Sequence, residues 1–258
     1  MGTRLIRGIR TVDTLNTEPQ SQKSPESSPP SPEQSEEGPR DLYAQLRRRM
    51  VDEQIAARGV DNQRVLDTLR HVPRHKFVPD HFQHLAYHDS PLTIGHSQTI
   101  SQPLIVAMMT QLANPTVESK ALDVGTGSGY QAAVLSKIVK RVYSVEILEP
   151  LAVKARERLR SLEYNNIEIR CGDGCHGWPK EQPFDVIIVA AAPDHVPEPL
   201  IDQLAPGGIL VIPVGPQHGQ SLLVIEKQID GSVRRRNVAP VTFVPMTGKA
   251  LKETKNRD

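Results

Sequence analysis

Long apolar runs are missing from this chain: no stretch approaches the roughly 18–20 residues that cross a bilayer as a helix, so a membrane-spanning protein is not expected. The first residues, MGTRLIRGIRTVD, hold no apolar core of a secretory signal. Ile6 stands where N-myristoylation needs Ser or Thr. Cysteine is scarce too, with only Cys171 and Cys175, in the run Cys-Gly-Asp-Gly-Cys. Two cysteines with no histidine at ligand spacing give little support for a metal centre and cannot build a disulfide framework. We therefore expect no metal and a reducing, cytoplasmic setting. Nor does one sign of charge dominate: 31 Lys and Arg against 30 Asp and Glu leave a net charge of +1. That balance speaks against a dedicated nucleic-acid binder. The basic runs Arg47–Arg49 and Arg234–Arg236 read as solvated surface.

What is present is a chain of 258 residues, 38% apolar and 24% charged, enough for one good-sized α/β domain or two small ones. Residues 1–40 differ in kind, with six Pro, six Ser and no aromatic residue. Such a composition buries too little apolar surface to offset chain entropy, so this extension is expected to be disordered. Order is expected from Asp41. Leu42, Leu46 and Met50 recur every fourth residue, predicting a helix that stops near Gly59. A second helix is expected over 62–69 before the turn HVPRHKFVP, and a third from Pro103.

From Ala121 the pattern turns to β/α alternation. ALDV, VYSVEI, IEIRC, FDVIIVAAA and GILVIPVG read as strands, with helices near 130–138, 151–162 and 197–205. This predicts a mostly parallel, doubly wound Rossmann-like sheet with helices on both faces. SLLVIEKQ and VTFVPM, on either side of a turn at Asp230-Gly231, are expected to append a β-hairpin. Residues 41–258 would then form the functional domain, with 41–115 helical and 116–258 holding the sheet.

The strand ALDV runs into Gly125-Thr126-Gly127-Ser128-Gly129, and a helix follows at once. Bare backbone at a helix N-terminus lets a ligand approach free amides. The third glycine of a dinucleotide-binding G-x-G-x-x-G would fall at Tyr130, and no phosphate-loop G-x-x-x-x-G-K-[ST] is present. The loop is instead G-x-G-x-G after the acidic Asp123. Glu146 ends the second strand, 17 residues after Gly129, where a carboxylate can accept both ribose hydroxyls. Gly172 and Asp173 follow the third strand, where Asp173 could meet the exocyclic amine of an adenine. Ribose and adenine recognition without a pyrophosphate site suggests S-adenosyl-L-methionine.

One segment does not fit a cofactor fold alone. Residues 89–103, DSPLTIGHSQTISQP, are small, hydroxyl-rich and turn-forming. Followed by ALDVGTGSGY, GDG, FDVIIVAAAP, LIDQLAPGGILVIPVG and FVPMT, it resembles the protein-L-isoaspartate O-methyltransferase family over about Asp41 to Leu251. The resemblance implies esterification of the α-carboxylate of L-isoaspartyl residues in peptides and proteins, with repair through a succinimide. It implies Ser101 as the catalytic residue, with Ala191, Ala192 and Pro193 as peptide wall and Thr247 near the cofactor. The chemistry agrees with Ser101: a sulfonium methyl is already electrophilic and a carboxylate is ionised at neutral pH. The enzyme must supply position, not a strong base, and the small amide and hydroxyl groups of Gln98, Thr99 and Ser101 can grip a carboxylate. Ser101 could equally cap the helix starting at Pro103. Where the family has Gly before Gln, this chain has Ser97, which would carry strain at positive φ. His96 reads as a solvent-facing loop residue and Trp178 as cover for the sheet edge. A monomeric enzyme is thus weighed against a nucleic-acid methyltransferase, whose Asn/Asp-Pro-Pro-Tyr/Phe motif is replaced by Ala190–Pro193, and against a silent cofactor-binding module.

Overall fold

The computed structural model describes residues 39–248. The extension expected over 1–40 lies, apart from its last two residues, outside them, as do residues 249–258. Helix α1 (Pro39–Arg49) continues as a π-helical turn over Met50–Ile55 and a 3-10 turn over Ala56–Arg58. Gly59, at φ 93°, ends the run as expected. Of the apolar stripe, Met50 is fully buried and Leu46 is half-buried against the core, whereas Leu42 is 55% exposed, so the stripe packs except at its N-terminal end. Helix α2 (Gln63–His71) is capped by Asn62, whose side chain accepts from the Val65 amide. The turn after it becomes a 3-10 segment, Arg74–Phe77.

The hydroxyl-rich segment is more regular than its composition suggested. Strands β1 (Leu92–Gly95) and β2 (Gln98–Ile100) pair antiparallel, with Gly95 opposite Gln98. The two residues between them, His96 and Ser97, have φ 52° and 57°, the signs that a two-residue hairpin turn requires. Ser97 thus occupies a left-handed position without being glycine, and His96 is exposed.

Helix α3 (Pro103–Ala113) follows, with Pro103 in its first turn and Gln102 as N-cap. Ser101 does not cap it. The carboxylate of Asp89 does so from across the hairpin, with Oδ1 accepting from the Leu104 amide at 2.9 Å.

Strands β3 (Lys120–Val124), β4 (Arg141–Glu146), β5 (Ile167–Cys171), β6 (Phe184–Val189), β7 (Leu204–Val214), β8 (Gln220–Lys227) and β9 (Val233–Val241) form one sheet in the order β5-β4-β3-β6-β7-β8-β9. The first five are parallel, and β8 and β9 are antiparallel. Helices α4 (Tyr130–Ser136), α5 (Glu149–Ser161) and α6 (Glu198–Asp202) connect the parallel strands. Along β6, Val186 and Ile188 enter one apolar cluster and Ile187 and Val189 the other, so both faces of the sheet are covered. One cluster includes residues of α3 and α4, the other Leu200 and Ile201 of α6 and Trp178. Trp178 packs edge-on to Tyr143, with ring centroids 5.3 Å apart.

The C-terminal hairpin differs from expectation. The partner of β8 is VRRRNVAPV and not VTFVPM. Three consecutive arginines, all exposed, obscured the strand, because an edge strand carries charge where an inner one carries Val or Ile. Beyond Val241, which ends β9, the rest of that segment, TFVPM, instead returns beside the end of β6. The Ala192 amide donates to the Val244 carbonyl and the Met246 amide to the Ala192 carbonyl.

Candidate active site

Strand order reverses between β3 and β6, because β4 leaves β3 on the opposite side. In open α/β sheets ligands bind beyond the carboxyl ends of the strands at such a point. A cleft open at its mouth lies here. Its walls come from β2 and the residues after it, the glycine loop, the end of β4, and the segment Val244–Thr247.

The glycine loop owes its shape to backbone bonds and to one carboxylate. The Gly125 amide donates to the Val145 carbonyl at 2.8 Å. Glu146 is 5% exposed, and its Oε2 accepts from the Gly127 amide at 2.7 Å while Oε1 accepts from the Leu148 amide at 3.0 Å. Gly129, at φ 89°, is the N-cap of α4, and a Cβ there would stand 3.1 Å from Leu159 Cδ1. It therefore serves the packing of α5 against the loop and not the cleft surface. From the same helix, Arg158 donates to the Ser128 carbonyl at 2.8 Å.

Asp123 lies beneath this loop, fully buried. Its Oδ2 accepts from the Ser144 hydroxyl at 2.7 Å, and Ser144 Oγ is 2.5 Å from Thr126 Oγ1. Burial pushes its carboxyl up to about 7; the Ser144 hydroxyl opposes that and the negative Glu146 adds to it. Oδ1 has no partner among the described residues.

Of the residues singled out from the sequence, Gln98, Thr99, Ser101, Gly125, Gly127, Glu146, Ala191 and Thr247 border the cleft. Asp123, Gly129, Gly172, Asp173, Ala192 and Pro193 do not. Asp173 Oδ1 accepts from the Cys175 amide at 2.9 Å, making it the N-cap of a 3-10 turn. A Cβ on Gly248 would stand 2.6 Å from its Oδ2. Ala192 acts through its backbone, holding Val244 and Met246 in place.

Of the two glycines flanking Asp173, it is Gly174 that lines the cleft. A Cβ there would come within 2.5 Å of Val124 Cγ1 and 3.2 Å of Met246 Cε, so the floor of the cleft is formed by bare backbone. Its position in the same GDG run was the available signal. Tyr130, Gln131, Ile147 and Leu148 also line the cleft, and the first of these was read only as a missing glycine. Arg74, just behind the cleft, carried no sequence signal at all. It is fully buried, donates from Nε to the Ala86 carbonyl and from Nη2 to the Ser101 carbonyl, both at 2.8 Å, and lies 4.8 Å from the Tyr130 ring centroid.

The donor set suits an adenosyl group better than a phosphate. Glu146 offers acceptors to hydroxyl donors, and among the described residues no lysine or arginine borders the cleft. The apolar residues Ile147, Leu148, Val124 and Met246 supply walls for a flat ring. Among the described residues no group of three or more His, Cys, Asp or Glu is placed to hold a metal ion.

Sheet order, reversal point and glycine loop define a Rossmann-like fold of the class I methyltransferase type. Comparison with known proteins then narrows the class. Residues 45–251 match the family model described as Protein-L-isoaspartate(D-aspartate) O-methyltransferase (PCMT), and the chain belongs to that family. It is 51% identical over 218 residues to Protein-L-isoaspartate O-methyltransferase 2 of Shewanella sediminis, covering 84% of this chain and 89% of that one. It is 54% identical over 203 residues to Protein-L-isoaspartate O-methyltransferase of a Picosynechococcus species, covering 79% and 90%. Among solved structures, a Plasmodium falciparum protein described as a putative protein-L-isoaspartate O-methyltransferase, in complex with S-adenosyl-L-homocysteine, superposes with a TM-score of 0.69. It shares 27% identity, over 78% of this chain and 98% of that one.

Proposed function

We propose that this protein transfers a methyl group from S-adenosyl-L-methionine to the α-carboxylate of L-isoaspartyl residues in peptides and proteins. The resulting ester closes to a succinimide, whose hydrolysis returns part of the damage to normal aspartyl linkages. Within the family, the observation that carries this reading is the meeting of two segments at one cleft. The hydroxyl-bearing Gln98–Ser101 stretch faces the glycine loop and Glu146 across it.

When bound, S-adenosyl-L-methionine supplies a methyl group that is already electrophilic. Glu146 accepts hydrogen bonds from the ribose hydroxyls, and Gly125, Gly127 and Gly174 allow close approach to the backbone. Thr247 closes the cofactor side. Asp123, Gly129, Gly172 and Asp173 act from behind, by shaping the loops that reach the cofactor. Ser101 orients the isoaspartyl α-carboxylate for in-line attack, with Gln98 and Thr99 beside it, and Ala191 to Pro193 border the path of the peptide. No general base is needed, since a carboxylate with an ordinary pKa near 4 is ionised at neutral pH. Placing it about 3 Å from the methyl carbon is the catalytic task.

In the same reading, residues 1–40 are an extension separate from a methyltransferase domain over 41–258. Residues 41–115 contribute the helices and substrate loop, and 116–258 the cofactor sheet and hairpin. In this reading the protein is a cytoplasmic monomer that does not bind nucleic acid; the scarcity of cysteine and the near-neutral charge support the setting and the lack of nucleic acid, and no helix of the described residues is long and apolar enough to cross a membrane.

The test uses one peptide in two forms, differing only in an L-isoaspartyl or L-aspartyl linkage. Each is incubated with enzyme and S-adenosyl-L-methionine, then analysed by mass spectrometry at acidic pH, where the ester survives. Esterification of the isoaspartyl form alone is expected. Binding of the cofactor with modification of neither peptide would remove the repair reading and leave the fold assignment intact.

A further inference from the structure

A buried cation with no counter-ion is an expensive thing for a fold to keep. Arg74 is one: it is 0% exposed, and no carboxylate of the described residues lies within ion-pair distance of it. Asp89, the acidic group that contributes to its electrostatics, is already taken. Its carboxylate accepts from Arg58, from Gln102 Nε2 and from the Leu104 amide. The π face of Tyr130, 4.8 Å from the guanidinium carbon, is a weak substitute for a negative charge.

The orientation of the guanidinium matters as much as its charge. Nε is held by the Ala86 carbonyl and Nη2 by the Ser101 carbonyl, while Nη1 is buried with no hydrogen-bond partner among the described residues. Both Ser101 and Tyr130, the two residues it touches on that side, line the cleft. The positive charge therefore sits directly behind the residue that faces the substrate, in surroundings of low polarity where its field is little screened.

We propose that Arg74 is the charge that makes the substrate pocket select an anion, and that its counter-ion is the α-carboxylate of the bound isoaspartyl residue. It is a specificity-determining and positioning residue, acting through the Ser101 peptide and not by contact with the transferred methyl group. The serine hydroxyl fixes direction, and the guanidinium behind it supplies the preference for negative charge. This inference rests on the isoaspartyl reading of the site.

The experiment compares binding of two peptides that differ at the isoaspartyl residue, one with a free α-carboxylate and one with the neutral α-carboxamide. Both are titrated, with S-adenosyl-L-homocysteine present, into wild type, Arg74→Met and Arg74→Lys. Wild type should prefer the carboxylate by tenfold or more. In Arg74→Met the preference should fall below about threefold, with affinity for S-adenosyl-L-homocysteine changed by less than threefold. Arg74→Lys keeps the charge but loses the planar fork to two carbonyls, so it should keep most of the preference. Should Arg74→Met not fold, the lysine variant decides alone. Equal weakening of both peptides there would mark Arg74 as a structural staple and overturn the proposal. So would a preference that survives in the methionine variant, or one absent from wild type. Wild-type esterification of the isoaspartyl peptide, measured in parallel, separates failure of this inference from failure of the activity itself.

Discussion

Glu146 Oε2 accepts a hydrogen bond from the Gly127 amide at 2.7 Å, so the carboxylate that ends β4 also sets the curvature of the glycine loop. A single side chain thus shapes one wall of the cofactor cleft while presenting acceptors into it. Glu146→Gln keeps one acceptor but loses the charge, and hydrogen bonds to charged groups are worth about 1.5–3 kcal/mol. Affinity for S-adenosyl-L-homocysteine should drop by about 10- to 100-fold, as read by isothermal titration calorimetry. An unchanged affinity would mean that Glu146 only holds the loop.

Ser101→Ala should separate chemistry from binding. Turnover of the isoaspartyl peptide is expected to fall by one to three orders of magnitude, roughly the range lost with one orienting contact. Cofactor affinity should hold within about threefold. Collapse of cofactor binding would reassign Ser101 to the structure of the loop.

The floor of the cleft gives a steric prediction. A methyl group at Gly174 would stand 2.5 Å from Val124 Cγ1, and overpacking of this kind costs about 1–3 kcal/mol. Gly174→Ala should lower the melting temperature and weaken S-adenosyl-L-homocysteine binding together. A variant that loses neither would show that β3 yields easily.

The hairpin turn can be improved. Ser97 sits at φ 57°, where a non-glycine residue pays roughly 1–2 kcal/mol, partly offset by the chain entropy that glycine loses. Ser97→Gly should raise stability by up to about 1 kcal/mol, a shift of roughly 2–4 °C for a domain of this size. Activity on the isoaspartyl peptide should stay within about threefold. A lower melting temperature would mean that Ser97 contributes a contact worth more than its strain.

Asp123 gives stability a distinctive pH dependence. Its carboxyl, raised from 3.8 to about 7 in the folded protein, stays protonated there while the unfolded chain ionises it. Its contribution is full below pH 4 and is lost as pH rises toward 7. Three units at about 1.4 kcal/mol each make that loss about 4 kcal/mol. Asp123→Asn removes it, so the stability difference between wild type and variant should shrink steadily across this window in urea unfolding. A constant difference would place the titration elsewhere.

The parallel sheet and the glycine loop were readable because inner strands are continuous apolar runs and the turn between β3 and α4 needs its glycines. The β1–β2 hairpin was not, because Thr93, Gln98 and Thr99 carry no alternation that marks a strand. Strand β9 was hidden by Arg234–Arg236, whose charge suits an edge and imitates a loop. The cap on α3 comes from Asp89, and one partner of Arg74 is a carbonyl at Ser101, 27 residues away. Contacts between distant segments leave no periodic trace. The same holds for Gly172 and Asp173, whose place in a GDG run suggested contact with the cofactor, although the cleft is reached by Gly174.

The walls of the cleft are drawn from both sides of the large sheet in the sequence, since Gln98–Ser101 precede its first strand and Val244–Thr247 follow its last. During synthesis, then, the glycine loop emerges from the ribosome long before the wall that completes it. A partly made chain holds no finished pocket and so cannot esterify the proteins around it, and activity begins only once nearly the whole domain has been translated.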